Sequence, residues 1–299
     1  MVRVTVPATT ANIGPGFDVL GLAFKLYNQF TFERIEKGLI IEGCPEVYNN
    51  KENLVYSSFV VTAEKLGKKV DGLKISMDTH IPVSRGLGSS SACIVGGVYG
   101  ANAFYSGGLT KDEMYKIAVM IEGHPDNISP CVYGGLTASM IEKERPYAVG
   151  YNISSELKFL ALIPDFETST NEARKILPKN IDFKDAVFNV SRVAVLLKAL
   201  ETGDMDMINI ALKDRLHQIY RGTLIHEYDD VRAICAEAGS PALFISGSGP
   251  TLMNITKDEK FPDKIKDSIS KLKHNWEIKM LETDKNGATV KVNDDNCVK

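Results

Sequence analysis

Pro82-Val83-Ser84-Arg85-Gly86-Leu87-Gly88-Ser89-Ser90-Ser91-Ala92 is the stretch on which the fold turns. Ahead of it, Lys74 to Ile81 alternates apolar and polar residues, which predicts a strand ended by Pro82. Behind it, a run of small residues from Ser90 to about Tyr105 predicts a helix. Strand, glycine-rich turn and helix start, in that order, let successive backbone N–H groups and the helix dipole hold an anion. Gly86 and Gly88 would let the chain approach phosphate oxygens without a Cβ in the way. The serines add hydroxyl donors, or an oxygen ligand for a Mg²⁺ that accompanies the phosphates. Two better-known loops are excluded. The Gly67-Lys68 pair is followed by Lys69, so G-x-x-x-x-G-K-[ST] is absent, and Ser91 stands where a dinucleotide fingerprint has its third glycine.

Working outward, Leu54 to Leu66 predicts a helix with Asn53 as its N-cap and Gly67 as its stop. A further helix is expected from Lys111 to about Glu122. The first seven residues and Asn28 to Arg34 read as strands, and Thr9 to Asp18 between them reads as a loop on its Gly14-Pro15-Gly16 punctuation. A strand is expected after Tyr133-Gly134-Gly135, then a polar connection, then a strand from Phe159 to Ile163. The composition shift there puts a domain boundary near residue 155, giving segments 1–155 and 156–299. Helices follow around Asp182–Glu201 and Met205–Leu216. Asp229 to Leu272 then reads helix, strand, Gly-Ser turn, strand, helix. Strands near Trp276–Leu281 and Ala288–Val292 and a polar tail close the chain. Strands and helices interleave without strict alternation, so the class is α+β and not a doubly wound sheet.

Composition bounds the function. At 299 residues the chain has room for about two domains. With 35 Lys and Arg against 38 Asp and Glu, the net charge of −3 offers no general affinity for nucleic acid or an anionic membrane. No run approaches the roughly 18 apolar residues of a membrane span, and the alternating MVRVTVPATT start lacks the apolar core of a signal peptide. Cys44, Cys93, Cys131, Cys235 and Cys297 are widely spaced without a C-x-x-C pair, which reads as free thiols in the cytoplasm.

Pro82 to Ala92 resembles the phosphate-binding motif of the GHMP kinases, the superfamily of galactokinase, homoserine kinase, mevalonate kinase and phosphomevalonate kinase. Two further blocks fit in order: Pro7-Ala8-Thr9-Thr10-Ala11-Asn12-Ile13-Gly14-Pro15-Gly16-Phe17-Asp18 and Ser246-Gly247-Ser248-Gly249-Pro250-Thr251. Together they span most of the chain. The resemblance implies a two-domain fold, the N-terminal half like ribosomal protein S5 domain 2 and the C-terminal half a ferredoxin-like α/β unit. It also implies a kinase that uses ATP and Mg²⁺; nothing in the residues themselves separates ATP from GTP.

Within the superfamily, Glu122-Gly123-His124-Pro125-Asp126-Asn127-Ile128-Ser129-Pro130 and the first block are most similar to the homoserine kinase branch. That likeness implies L-homoserine as the acceptor. Another small-molecule kinase of the superfamily, such as a mevalonate kinase, and a non-catalytic binding protein of the same fold are the alternatives. Arg174 and Arg221 would hold the substrate carboxylate, for which guanidinium forks are suited. Asp18 would take its ammonium group, and Asn12 would hold either the hydroxyl end or the backbone. His124 is a substrate contact or a local structural group. Ser90 and Glu122 would ligate Mg²⁺, with the unusual third serine, Ser91, leaving open which serine does so. Ser89 and the loop amides of residues Pro82 to Ala92 would cradle phosphate. Arg85 lies at the surface or near the nucleotide, and Asn53 is a base contact by analogy. Asn127 cannot accept a proton as a carboxylate does and Asp126 is its neighbour, so the reaction is expected to have no dedicated base. Members of the superfamily are often dimers, so a homodimer falls within the expectation.

Overall fold

The computed structural model describes residues 1–292. Cys297 and the polar tail lie outside the described residues. In chain order the elements are β1 (Val2–Ala11), β2 (Leu20–Arg34), β3 (Gly38–Glu42), α1 (Leu54–Lys65), β4 (Gly72–Thr79), α2 (Ser89–Phe104), α3 (Lys111–Glu122), α4 (Ile128–Tyr133), β5 (Leu136–Glu142), β6 (Arg145–Tyr151) and β7 (Lys158–Pro164). There follow α5 (Thr170–Lys175), α6 (Phe183–Thr202), α7 (Met205–Ala211), α8 (Gln218–Arg221), α9 (Tyr228–Glu237), β8 (Leu243–Ile245), β9 (Leu252–Thr256), α10 (Phe261–Ile269), β10 (Trp276–Leu281) and β11 (Thr289–Val292).

Two sheets organise the molecule. The first has β11, β1, β2, β4 and β3 in order, and β5 extends the near end of β2 and pairs with β6. The second runs β10-β7-β9-β8, all antiparallel, with helices between β7 and β8 and between β9 and β10. That is the β-α-β-β-α-β arrangement of a ferredoxin-like unit. Local signals explain the helices. Asn53 Oδ1 accepts from Val55 N and Tyr56 N and starts α1. Thr110 and Glu113 form a capping box at the start of α3, and Gly123 ends that helix at φ 89°. On α2, Gly96 and Gly100 leave room for the Phe30 and Phe32 rings of β2, which any Cβ there would strike.

The structure departs from the sequence reading at several elements: β2 starts at Leu20 and not at Asn28, and β3, α4, α5 and α8 stand where no element was read. β1 runs on through Thr9, Thr10 and Ala11, because β2 is long enough to pair with it to Gly21 after a register shift at Pro7/Ala8. The polar connection hides β6, a full partner of β5. Its hairpin turns on Lys143 and Glu144, both at positive φ (48° and 65°), where Asn-Gly would have announced the turn. The helix expected to reach Leu216 ends at Ala211, because the Asp214 carboxylate caps a new turn by accepting from His217 N and Gln218 N. The strand expected near Ala288–Val292 is β11, and it pairs with β1 in the first sheet.

Candidate active site

The three sequence blocks meet. Ser246 Oγ donates to Gly86 O (2.6 Å) and lies 2.7 Å from Thr10 Oγ1, and Gly247 N donates to Ala11 O. Gly247 O in turn accepts from Asn12 Nδ2 (2.8 Å) and Arg221 Nη1 (2.9 Å). Around this junction opens a cavity of about 500 Å³ lined from both halves of the chain. Asn12, Asp18, Asn53, Pro82, Arg85, Gly86, Gly88, Ser89, Ser90, Ser91, Glu122, His124, Asp126, Asn127, Arg174 and Arg221 all line it. Leu87 and Ala92 do not: both side chains are buried in the core, so only their backbone can serve a ligand.

The serine-rich loop delivers a helix start to the cavity. Gly88 is the N-cap of α2 at φ 71°, and no side chain caps that helix. The first-turn amides therefore point outward without the usual internal partner, on a helix of 16 residues. Ser90 Oγ donates to Glu122 Oε2 (3.1 Å) and Ser91 Oγ to Glu122 Oε1 (2.8 Å). Glu122 closes α3, where the helix dipole disfavours a carboxylate; the start of α2 and its two hydroxyls offset this. Ser90 Oγ and the Glu122 carboxylate are hard oxygen donors that suit Mg²⁺, and among the described residues no group of three or more His, Cys, Asp or Glu could hold a metal.

Thr9 Oγ1 donates to Asn127 Oδ1 (2.8 Å), which leaves the Asn127 Nδ2 donor for the cavity. Asp126 is buried, and its Oδ1 accepts from Asn127 N and lies 2.9 Å from His124 Nδ1. The hydrogen bond to Asp126 raises the His124 pKa above its usual value, against the opposing effect of burial.

Arg174, near the end of α5, forms a two-point ion pair with Asp18: Nη1 to Oδ2 at 3.2 Å and Nη2 to Oδ1 at 3.1 Å. Asp18 sits at φ 55°, and its N–H donates to Asn12 Oδ1. Both ends of the Asn12 amide are spent on backbone, so this residue holds the loop and does not offer a group to a hydroxyl. Arg221 is almost fully buried, donates Nε to Ala173 O and Nη1 to Gly247 O, and lies 5.0 Å from the centre of the Phe17 ring. Burial lowers its pKa to about 10, so it remains a cation at neutral pH.

Two of the cavity-lining residues have their polar atoms committed within the chain. Arg85 donates to Pro164 O and Asp165 O (both 3.0 Å) and pairs with Glu167 at 3.2 Å, so it fastens the loop to the end of β7. Asn53 spends Oδ1 on its helix cap and Nδ2 on Tyr48 O and Met77 Sδ, so it shapes the cavity wall. Thr9, Thr170 and Ser248 were missed as site residues. Thr9 and Ser248 stood inside quoted blocks, and Thr170 Oγ1 lies 3.3 Å from Ser248 Oγ.

Comparison with known proteins agrees with this geometry. The GHMP kinases N terminal domain model matches residues 53–135, and the GHMP kinases C terminal model matches residues 196–275. The chain belongs to the GHMP kinase family. A homoserine kinase of Clostridium botulinum (strain Kyoto / Type A2) is 47% identical over 292 residues, 97% of this chain and 98% of the relative. That of Clostridium beijerinckii is 43% identical over 293 residues, again 97% and 98%. The crystal structure of homoserine kinase from Cytophaga hutchinsonii superposes with a TM-score of 0.86 at 28% identity, covering 97% of this chain and 96% of that one. The L. major mevalonate kinase complexed with R-mevalonate, at 16% identity and a TM-score of 0.72 over 94% and 95% of the two chains, shares the GHMP kinase fold.

Proposed function

We propose that this GHMP kinase transfers the γ-phosphoryl group of ATP to the side-chain hydroxyl of L-homoserine, in the cytoplasm, giving O-phospho-L-homoserine and ADP. The observation that carries the reading is the Asp18–Arg174 ion pair beside the buried Arg221 cation. An α-amino acid is a zwitterion: its ammonium replaces Arg174 at Asp18, and its carboxylate takes up the guanidinium released. A substrate with a carboxylate alone, such as mevalonate, would break the pair and leave Asp18 uncompensated in a partly desolvated site.

Phosphoryl transfer needs mainly alignment and charge neutralisation. The uncapped amides of α2 and the Ser89 hydroxyl face the phosphates. Asn127 Nδ2, set by Thr9, orients the acceptor hydroxyl. Ser90 and Glu122 would hold Mg²⁺, which neutralises phosphate charge when bound. As the new O–P bond forms and the bond to the bridging oxygen breaks, the hydroxyl proton goes to the transferred phosphoryl group. No side chain is needed as base: Asn127 has no proton affinity for the role, and Asp126 is engaged by His124 and a backbone N–H.

The test is ADP release measured with homoserine, with 4-hydroxybutyrate (which lacks the ammonium), with mevalonate and with no acceptor. Turnover on homoserine alone is expected. Turnover on mevalonate alone, or on none of them, overturns the assignment.

A further inference from the structure

We infer that Ser91 is a positioning residue for the Glu122 carboxylate, acting on the cation position only through that carboxylate. The inference rests on the kinase reading above. Each oxygen of Glu122 has one serine partner, but the two bonds differ in kind. Ser91 Oγ is 2.8 Å from Oε1, and its residue is 1% exposed in the first turn of α2. Ser90 Oγ is 3.1 Å from Oε2, and its residue is solvent-exposed at the cavity wall. Ser91 touches the cavity wall, but its side chain is buried and its hydroxyl makes the shorter of the two bonds to Glu122. The exposed Ser90 hydroxyl can give up its bond to Oε2 for a cation.

Glu122 needs such a restraint. It is the last residue of α3, and Gly123 follows at φ 89° with a side from which a Cβ would meet nothing within 4 Å. The end of the α3 dipole opposes the charge there. With Oε1 held by Ser91, Oε2 is left at the cavity with Ser90. Carboxylate ligands in metal sites are commonly oriented by such outer partners, whose loss costs about 10- to 100-fold in metal affinity. A single neutral donor of this kind falls at the lower end of that range.

The readout is nucleotide affinity, not turnover. Binding of a non-hydrolysable ATP analogue is measured by calorimetry with EDTA, and again with Mg²⁺ or Mn²⁺, for the wild type, Ser91→Ala, Ser91→Thr and Ser90→Ala. Mn²⁺ electron paramagnetic resonance reports the metal directly. In Ser91→Ala, affinity without metal should stay within about twofold while the tightening on adding metal shrinks by roughly tenfold. Ser91→Thr, which keeps the hydroxyl, should restore it. In Ser90→Ala the Mn²⁺ spectrum itself should change, because a ligand is lost. If Ser91→Ala weakens binding equally with and without metal, or leaves the metal effect intact, the inference is overturned. If the wild type binds no nucleotide under any condition, the kinase reading fails instead.

Discussion

His124 and Asp126 show how a single residue pair ties stability to pH. The folded-state pKa of His124 is raised, chiefly by its bond to Asp126. A group whose pKa rises on folding stabilises the fold fully below its unfolded value of about 6.5, and loses that contribution as pH climbs through the folded value. His124→Gln should therefore lower Tm most in mildly acidic buffer, with the gap to wild type narrowing as pH rises from about 6 to 8.5. A gap that widens with pH would contradict the assignment. The same pair bears on the missing base. Asp126→Asn keeps an oxygen to accept the Asn127 N–H, so kcat should stay within about tenfold of wild type, whereas a true general base is worth about 10²–10⁴-fold. A larger loss in kcat would restore Asp126 as the proton acceptor. At this scale the sequence showed which residues gather but not which atoms are already committed. Asn12 and Arg85 have polar chemistry within quoted blocks, yet Asn12 Nδ2 and Arg85 Nε go to backbone groups far along the chain. No local pattern announces such partners.

Among the elements, the loop into α2 decides what the site can do. Gly88 caps α2 at φ 71°, and a Cβ there would lie 2.0 Å from Thr9 Oγ1, the hydroxyl that holds Asn127. Gly88→Ala should cost about 2–4 kcal/mol of stability, combining left-handed strain with overpacking, and should also raise KM for ATP and lower kcat through Asn127. Gly67→Ala supplies the control, since Gly67 has φ 67° but open space around its Cβ position. It should show only the strain, about 1–2 kcal/mol in chemical denaturation, with unchanged kinetics. Equal kinetic damage from both would mean that the Gly88–Thr9 approach is irrelevant to the site. Elements with local signals were legible: the α1 cap, the α3 capping box and its glycine stop, and the small-residue helix α2. The hidden β6 was not, because Lys143 and Glu144 take a left-handed turn that their side chains do not favour. There the pairing of Tyr147, Val149 and Tyr151 with β5 overrides local preference.

For the molecule as a whole, the two halves share a core. One cluster of buried apolar side chains runs from Val4, Phe24 and Phe32 of the first sheet to Phe159, Leu196, Phe244 and Met253 of the second half. Phe24 and Phe159 meet with ring centres 5.6 Å apart. β11 adds a backbone tie by crossing back to β1, and Phe24 also bridges to Thr283 on the way. The chain passes from the first sheet to the second between Tyr151 and Lys158, but composition along the chain cannot reveal which faces those sheets press together. The cavity lies at this junction, with Arg174 and Arg221 from one side and the α2 start from the other. The two walls of the cavity therefore keep their relation only while the shared core is intact. Wild type should unfold in one transition, with calorimetric and van't Hoff enthalpies equal. Phe159→Ala should cost about 3–5 kcal/mol, the usual loss for a buried ring, and still unfold in one step at a lower temperature. Should Phe159→Ala instead melt in two separated steps, with nucleotide raising only the first, the halves would be independently stable, and the cavity between them would owe its geometry to the loop contacts alone.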